Sequence, residues 1–202
     1  MDPRYSSPAA LRNRDPILEA LRRLLPPAGL LLEIASGSGE HAEHFAAGLP
    51  GWVIQPSDPD PAARASIAAR VAEAGRPNLR PPLALDATAP ESWPPLRADA
   101  VLAVNMIHIA PWSATPGLLA GAARCLATAG APLILYGPFR EGGGHTGPGN
   151  AEFDASLRAR DPAWGLRDLE EVAQAARAAG FIPGPVERMP ANNRLVLFHR
   201  AV

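Results

Sequence analysis

The residues best suited to chemistry lie in Glu33-Ile34-Ala35-Ser36-Gly37-Ser38-Gly39-Glu40-His41, on and after an apolar run that begins at Leu30. A strand carrying an acid near its end, then closely spaced glycines, then a helix brings bare backbone amides against a ligand. Roughly 20 residues further on, a second apolar stretch ends at Ser57-Asp58, where a carboxylate can accept hydrogen bonds from both hydroxyls of a ribose. A third ends at Asp86-Ala87 and a fourth at Asn105-Met106-Ile107-His108. Four successive strand ends thus send polar groups to one rim, the edge at which open α/β sheets bind ligands.

Two cofactor classes compete for such a rim. Gly37-Ser38-Gly39-Glu40-His41-Ala42 fits the dinucleotide pattern G-x-G-x-x-A, which keeps an NAD(P)-dependent oxidoreductase in consideration. Glu33 favours S-adenosylmethionine (SAM): an acid there receives the amino group of a methionine moiety and repels a pyrophosphate. The 19 basic residues are all arginine. Without lysine there is no pyridoxal Schiff base, no Walker-type phosphate loop and no lysine general base. The catalytic lysine of many nicotinamide enzymes of this size is missing too. SAM is the expected cofactor, with S-adenosylhomocysteine (SAH) as product; a SAM-binding protein without catalysis is the further alternative.

The elements that must position these groups alternate between strand-like and helix-like, as in an α/β protein with a mostly parallel sheet. Asp15-Pro16 is expected to open a helix whose face is Ile17, Leu18, Leu21, Leu24 and Leu25. Strands are expected at Leu30–Ala35, Trp52–Gln55, Leu79–Leu85, Asp99–Val104, Pro132–Tyr136, Phe181–Arg188 and Arg194–His199. Pro81-Pro82 restricts the third of these to a sheet edge. Helices are expected from about Glu40, from Asp60-Pro61 to Gly75, from Thr115-Pro116 to about Gly130, and from Asp168 to Ala179. The chain reads as one domain, 1–202, with an N-terminal cap helix region (1–28) and a lid-like insertion (137–167). A long Gly-containing connection of this kind, with one short helix candidate at Ala151–Arg158, usually has a function in a compact domain.

Glu33-x-Ala35-x-Gly37-x-Gly39 resembles the first motif of class I SAM-dependent methyltransferases, with alanine where the first glycine commonly sits. The resemblance implies a Rossmann-like fold: a mostly parallel seven-stranded sheet, helices on both faces and a C-terminal antiparallel hairpin. It further implies that Glu33, Ala35, Gly37, Gly39 and His41 contact the cofactor and that Asp58 binds its ribose. Asp86 and Ala87 lie near the adenine, and Asn105, Met106 and His108 border the methyl group. More narrowly, Asn13-Arg14-Asp15-Pro16-Ile17-Leu18, Gln55-Pro56-Ser57-Asp58, Tyr136-Gly137-Pro138-Phe139, Asn150-Ala151-Glu152-Phe153-Asp154 and Met189-Pro190-Ala191-Asn192-Asn193 resemble the methyltransferase-like protein 26 family.

Methyl transfer from a sulfonium is an in-line displacement in which the protein holds the reactants and excludes water. His108 is the first candidate for a base or substrate-orienting group, and Asn105 for contact with cofactor or substrate. Both have a bland alternative, as a rim histidine and a turn-capping asparagine. Tyr136, Phe139 and Arg140, then Asn150 and Phe153, would give an anionic or aromatic small substrate a wall, or pack as a lid on their own domain. Asn13 and Arg14 belong to an N-terminal stretch expected to fold over the site. His41 and His44 lie three apart without a third ligand, so no metal is expected. Cys125, the one cysteine, shares an apolar face with Leu118, Leu119 and Ala122 and reads as core, which leaves no disulfide framework and no iron–sulfur cluster. A net charge of -1 gives no reason to expect nucleic acid. No apolar run nears the roughly 20 residues of a membrane span. A small-molecule substrate and a cytoplasmic location are expected.

Overall fold

The computed structural model describes residues 2–201. Six strands form one sheet in the order β2-β1-β3-β4-β8-β7: β1 (Gly29–Ile34), β2 (Trp52–Pro56), β3 (Ala100–Val104), β4 (Pro132–Gly137), β7 (Phe181–Met189) and β8 (Asn193–Arg200). The first four run parallel, and β7 and β8 form an antiparallel hairpin against β4. A small ribbon, β5 (Arg140–Glu141) with β6 (Gly144–His145), stands apart from the sheet.

Alternation along the strands divides the core into two layers. Leu31, Ile54, Ala100, Leu102 and Ile134 face α1 (Pro8–Leu24) and α2 (Glu40–Gly48), where Ile17, Leu21 and Phe45 are fully buried. Leu32, Ile34, Val101, Leu133, Val196 and Phe198 face α4 (Ala114–Cys125) and α6 (Leu169–Ala178). Covering a parallel sheet on both faces explains its near-continuous apolar strands. Two further helices, α3 (Pro61–Ala74) and α5 (Pro148–Arg160), complete the set. Asp60 caps α3 by accepting from the Ala62 amide, and Gly75 closes it in a left-handed conformation.

Two expectations are corrected. The sheet has six strands rather than seven, because Leu79–Leu85 makes only two isolated bridges, Leu79 with Ile54 of β2 and Leu83 with Ser57 just after it. Pro81 and Pro82 bring no N–H to the ladder between those points, and the Gln55 side chain takes their place by donating to the Pro81 carbonyl at 2.8 Å. The first helix starts at Pro8, not Asp15-Pro16, and Pro16 lies inside it. Ser7 is the cap, its Oγ accepting from the Ala10 amide at 3.3 Å. Proline inside a helix leaves one carbonyl without its partner, a cost offset here by the buried face of α1.

Candidate functional site

The chain reverses strand order between β1 and β3, and such a switch point opens a crevice beyond the carboxyl ends of the strands. The turn after β1 is built for close approach. Gly39 has φ +85°, and a Cβ there would lie 3.0–3.1 Å from Ile67 of α3, so any side chain would be strained by the backbone and crowded against α3. Ala35 adopts φ +56° without being glycine, a conformation that costs an alanine about 1 kcal/mol.

Glu33 points from β1 toward the α1–α2 side. It is 1% exposed, and its Oε2 has no hydrogen-bond partner. Burial raises its pKa to about 8, the Ser36 hydroxyl opposing and Asp58 adding to the rise. At the end of β2, Asp58 accepts from the Gly37 amide through Oδ2 and from the Asp60 amide through Oδ1, both at 2.9 Å. Burial pushes Asp58 upward and those two amides pull it back. Each of its oxygens retains a lone pair beyond these contacts.

His41 joins this crevice to a second space. Its Nδ1 lies 3.9 Å from Glu33 Oε1, and its Nε2 lies 2.7 Å from Asn13 Oδ1. Burial holds His41 down to about 4, so the ring is neutral near pH 7. Asn13 in turn lines a cavity of about 730 Å³ with Arg12, Asn105, Tyr136, Phe153 and the 190–193 turn. Among the described residues, three of the four non-glycine positions with positive φ, Asn105, Ala191 and Asn192, line that cavity. Strained backbone of this kind gathers at functional sites.

Among the expected substrate residues, Asn13, Tyr136, Asn150 and Phe153 meet at the cavity, together with Asn105. The others lie elsewhere. Phe139 is fully buried in the α4–α6 layer, edge-on to His108 with ring centroids 5.0 Å apart. Arg140 faces a separate hollow with Trp112, Arg158 and Arg167. Arg14 lies beside Glu40, Glu43 and Arg70. His108 is 0% exposed with both ring nitrogens unpartnered, and burial holds it down to about 3, with Arg167 adding. It stands behind the wall: a Cβ on Gly137 would come within 2.5 Å of its Nε2 and 3.0 Å of Asn105 Oδ1. Ala87 and Met106 are buried in the core, while Asp86 is exposed and accepts from Thr88.

Sequence reasoning missed the latch that holds the N-terminus over the glycine turn. Glu40 is 5% exposed and accepts from Ser6 Oγ (2.8 Å), the Ser7 amide (2.8 Å) and Ser38 Oγ (3.0 Å), with Arg70 3.5 Å away. Arg70 also donates to Ser38 O and Tyr5 O. A cavity role for Arg12 was missed too, although Ala9, Arg12 and Asn13 share one helix face once α1 begins at Pro8.

This sheet, its helices on both faces and its C-terminal hairpin are the class I methyltransferase fold. An O-methyltransferase family protein from Burkholderia thailandensis shares it with a TM-score of 0.80 at 17% identity over 96% of this chain and 57% of that one. The mitomycin 7-O-methyltransferase MmcR gives 0.81 at 15% over 96% and 54%. Human N-acetylserotonin methyltransferase, solved with SAM, gives 0.77 at 14% over 96% and 53%. The chain therefore spans little more than half the length of these proteins. Residues 4–200 match the family described as "Protein of unknown function (DUF938)", and the chain belongs to that family.

Proposed function

We propose that the chain is a SAM-dependent methyltransferase acting on a small molecule. The buried Glu33 carboxyl beside the glycine turn, whose Oε2 has no partner, carries this reading. A carboxyl left without a partner in the core is costly unless a ligand completes it. The donor set fits SAM: an acid at one end for an ammonium, and Asp58 one strand away for a diol. A pyrophosphate would be repelled by Asp58 and would hold Glu33 in its neutral form rather than complete it as an ammonium does, which disfavours the NAD(P) reading that the glycine spacing alone allows. Kinship with methyltransferase-like protein 26 and a cytoplasmic location belong to the same proposal.

In this reading Glu33 holds the amino group, the turn from Ala35 to Gly39 with His41 borders the methionine part, and Asp58 holds the ribose. Asp86, with the backbone at Ala87, borders the adenine, and Asn105, backed by the buried Met106, stands between cofactor and acceptor. When bound, the cofactor supplies an electrophilic methyl carbon and a neutral thioether leaving group. The protein's own task is positioning: the 190–193 turn and α5 wall off water, and His41 fixes Asn13. His108 acts as a positioning group behind Asn105, since no face of it reaches the cavity. An insertion spanning 137–167 acts as a lid, with α5 over the acceptor.

Isothermal titration with SAM, SAH and NADH tests the reading. Micromolar binding of the first two without NADH is expected. Binding of NADH alone overturns it, and SAM binding without methyl release to any metabolite in a mixed pool leaves a binding protein.

A further inference from the structure

The cavity beside the crevice has a composition that restricts what it accepts. Its lining holds five asparagines (13, 105, 150, 192 and 193), Tyr136, one cation, Arg12, and apolar surface from Ala9, Pro138, Phe153 and Pro190. No carboxylate, histidine or lysine is among the lining residues. Charged groups behind the wall are already matched. Arg194 pairs with Glu141 at 2.6 Å and donates to Asn192 O and Asn193 O, while Asp154 pairs with His145 and Arg158. His41 and His108, which stand behind Asn13 and Asn105, are buried and held well below neutrality.

Two of the asparagines are used by the fold. Asn150 Nδ2 donates to Thr146 Oγ1 and Asn192 O, and Asn193 Nδ2 donates to Pro190 O. Asn13 is different. With the His41 Nε2 hydrogen on its Oδ1, Asn13 turns its Nδ2 to the cavity, where it hydrogen-bonds the Tyr136 hydroxyl and keeps one N–H for a ligand. Burial raises the Tyr136 hydroxyl, so it stays protonated near pH 7, even though side-chain hydrogen bonds from Asn13 and Asn193 and, less, the Arg12 charge work the other way. The space therefore offers N–H and O–H donors and one guanidinium around an apolar body, with nothing to accept a proton.

Resting on the methyltransferase reading, we infer that the acceptor is a small apolar or aromatic molecule whose nucleophile arrives as an oxygen or sulfur anion, such as an acidic phenolate or a thiolate. An ammonium would meet Arg12 with no carboxylate to offset it. An unactivated alcohol would keep its proton, since no lining group can take it. With an anion, the acceptor's oxygen or sulfur forms the bond to the methyl carbon as the carbon–sulfonium bond breaks with its electron pair left on sulfur. No proton leaves, so the step balances without a base.

The test uses the whole protein, first titrated with SAH and then, as the SAH complex, with para-nitrophenolate and with neutral para-nitroaniline. The phenolate is expected to bind at least several-fold more tightly. Arg12→Gln, at an exposed position where folding is preserved, is expected to weaken the phenolate roughly three- to tenfold and leave the aniline unchanged. With SAM, para-nitrophenol and para-nitrothiophenol are expected to be methylated and benzyl alcohol to be inert. Equal binding of the neutral probe, no effect of Arg12→Gln, or methylation of benzyl alcohol overturns the inference while the cofactor assignment stands. No SAH binding removes the methyltransferase reading, and the acceptor class falls with it.

Discussion

The crevice at the end of β1 and the cavity under α5 lie side by side yet are built by opposite means. The crevice comes from one short stretch, Glu33 to His41, plus the single acid Asp58, and its polar groups are carboxylates. The cavity draws on five separated segments, residues 9–13, 105, 136–138, 149–153 and 190–193, and its polar groups are amides, a phenol and one guanidinium. Charge therefore separates them: the acidic side suits an ammonium and a diol, and the side of donors suits an anion. His41 and Asn13 are the join, touching both.

The largest expected effect breaks the acidic side. Asp58→Ala should weaken SAH by about 100-fold, the worth of charge-assisted hydrogen bonds to a diol. It should also lower the melting temperature, because the Gly37 and Asp60 amides lose their acceptor. Titration calorimetry with a thermal scan reads both. If affinity is kept, the ribose assignment is wrong.

Glu33→Gln separates binding from stability. A carboxyl whose pKa rises from 4.5 unfolded to about 8 folded binds more protons in the folded state, so it destabilises the fold as pH climbs through that window. Glu33→Gln should therefore melt above the wild type at pH 8, with the gain absent near pH 4, while binding SAH about tenfold more weakly. A lower melting temperature at pH 8 would show that the carboxylate is already compensated.

Smaller effects sharpen the division. His108→Leu removes two unpartnered nitrogens from behind the cavity wall and should leave SAH affinity unchanged and turnover within a few-fold. Loss of turnover with affinity intact would return His108 to the reaction. Ala35→Gly relieves a left-handed alanine and should stabilise by about 0.5 kcal/mol, the relief exceeding the added freedom of the unfolded chain. Denaturant unfolding measures it.

The same contrast governs what could be read before the structure. The crevice was legible because its residues are adjacent in sequence and glycine spacing reports backbone conformation. Asn13, Tyr136, Asn150 and Phe153 were singled out, but Arg12 was not, since placing the helix start at Asp15-Pro16 hid the face it shares with Asn13. Phe139 and Arg140 come three and four residues after Tyr136, yet one turns into the core and the other to a different hollow, and composition does not encode that turn. The strand expected at Leu79–Leu85 kept its place beside β2, but two prolines removed the ladder bonds that would have made it a seventh member.

The most direct test of the central claim is the proton balance of SAH binding at pH 7, measured by titration calorimetry in buffers of different ionisation enthalpy. Burial raises the Glu33 pKa to about 8, so at pH 7 it is expected to be largely protonated in the free protein and to ionise against an ammonium; the wild type should then release close to one proton and Glu33→Gln none. Equal proton release from both proteins, or none from the wild type, would contradict the assignment of Glu33 as the receptor of the amino group.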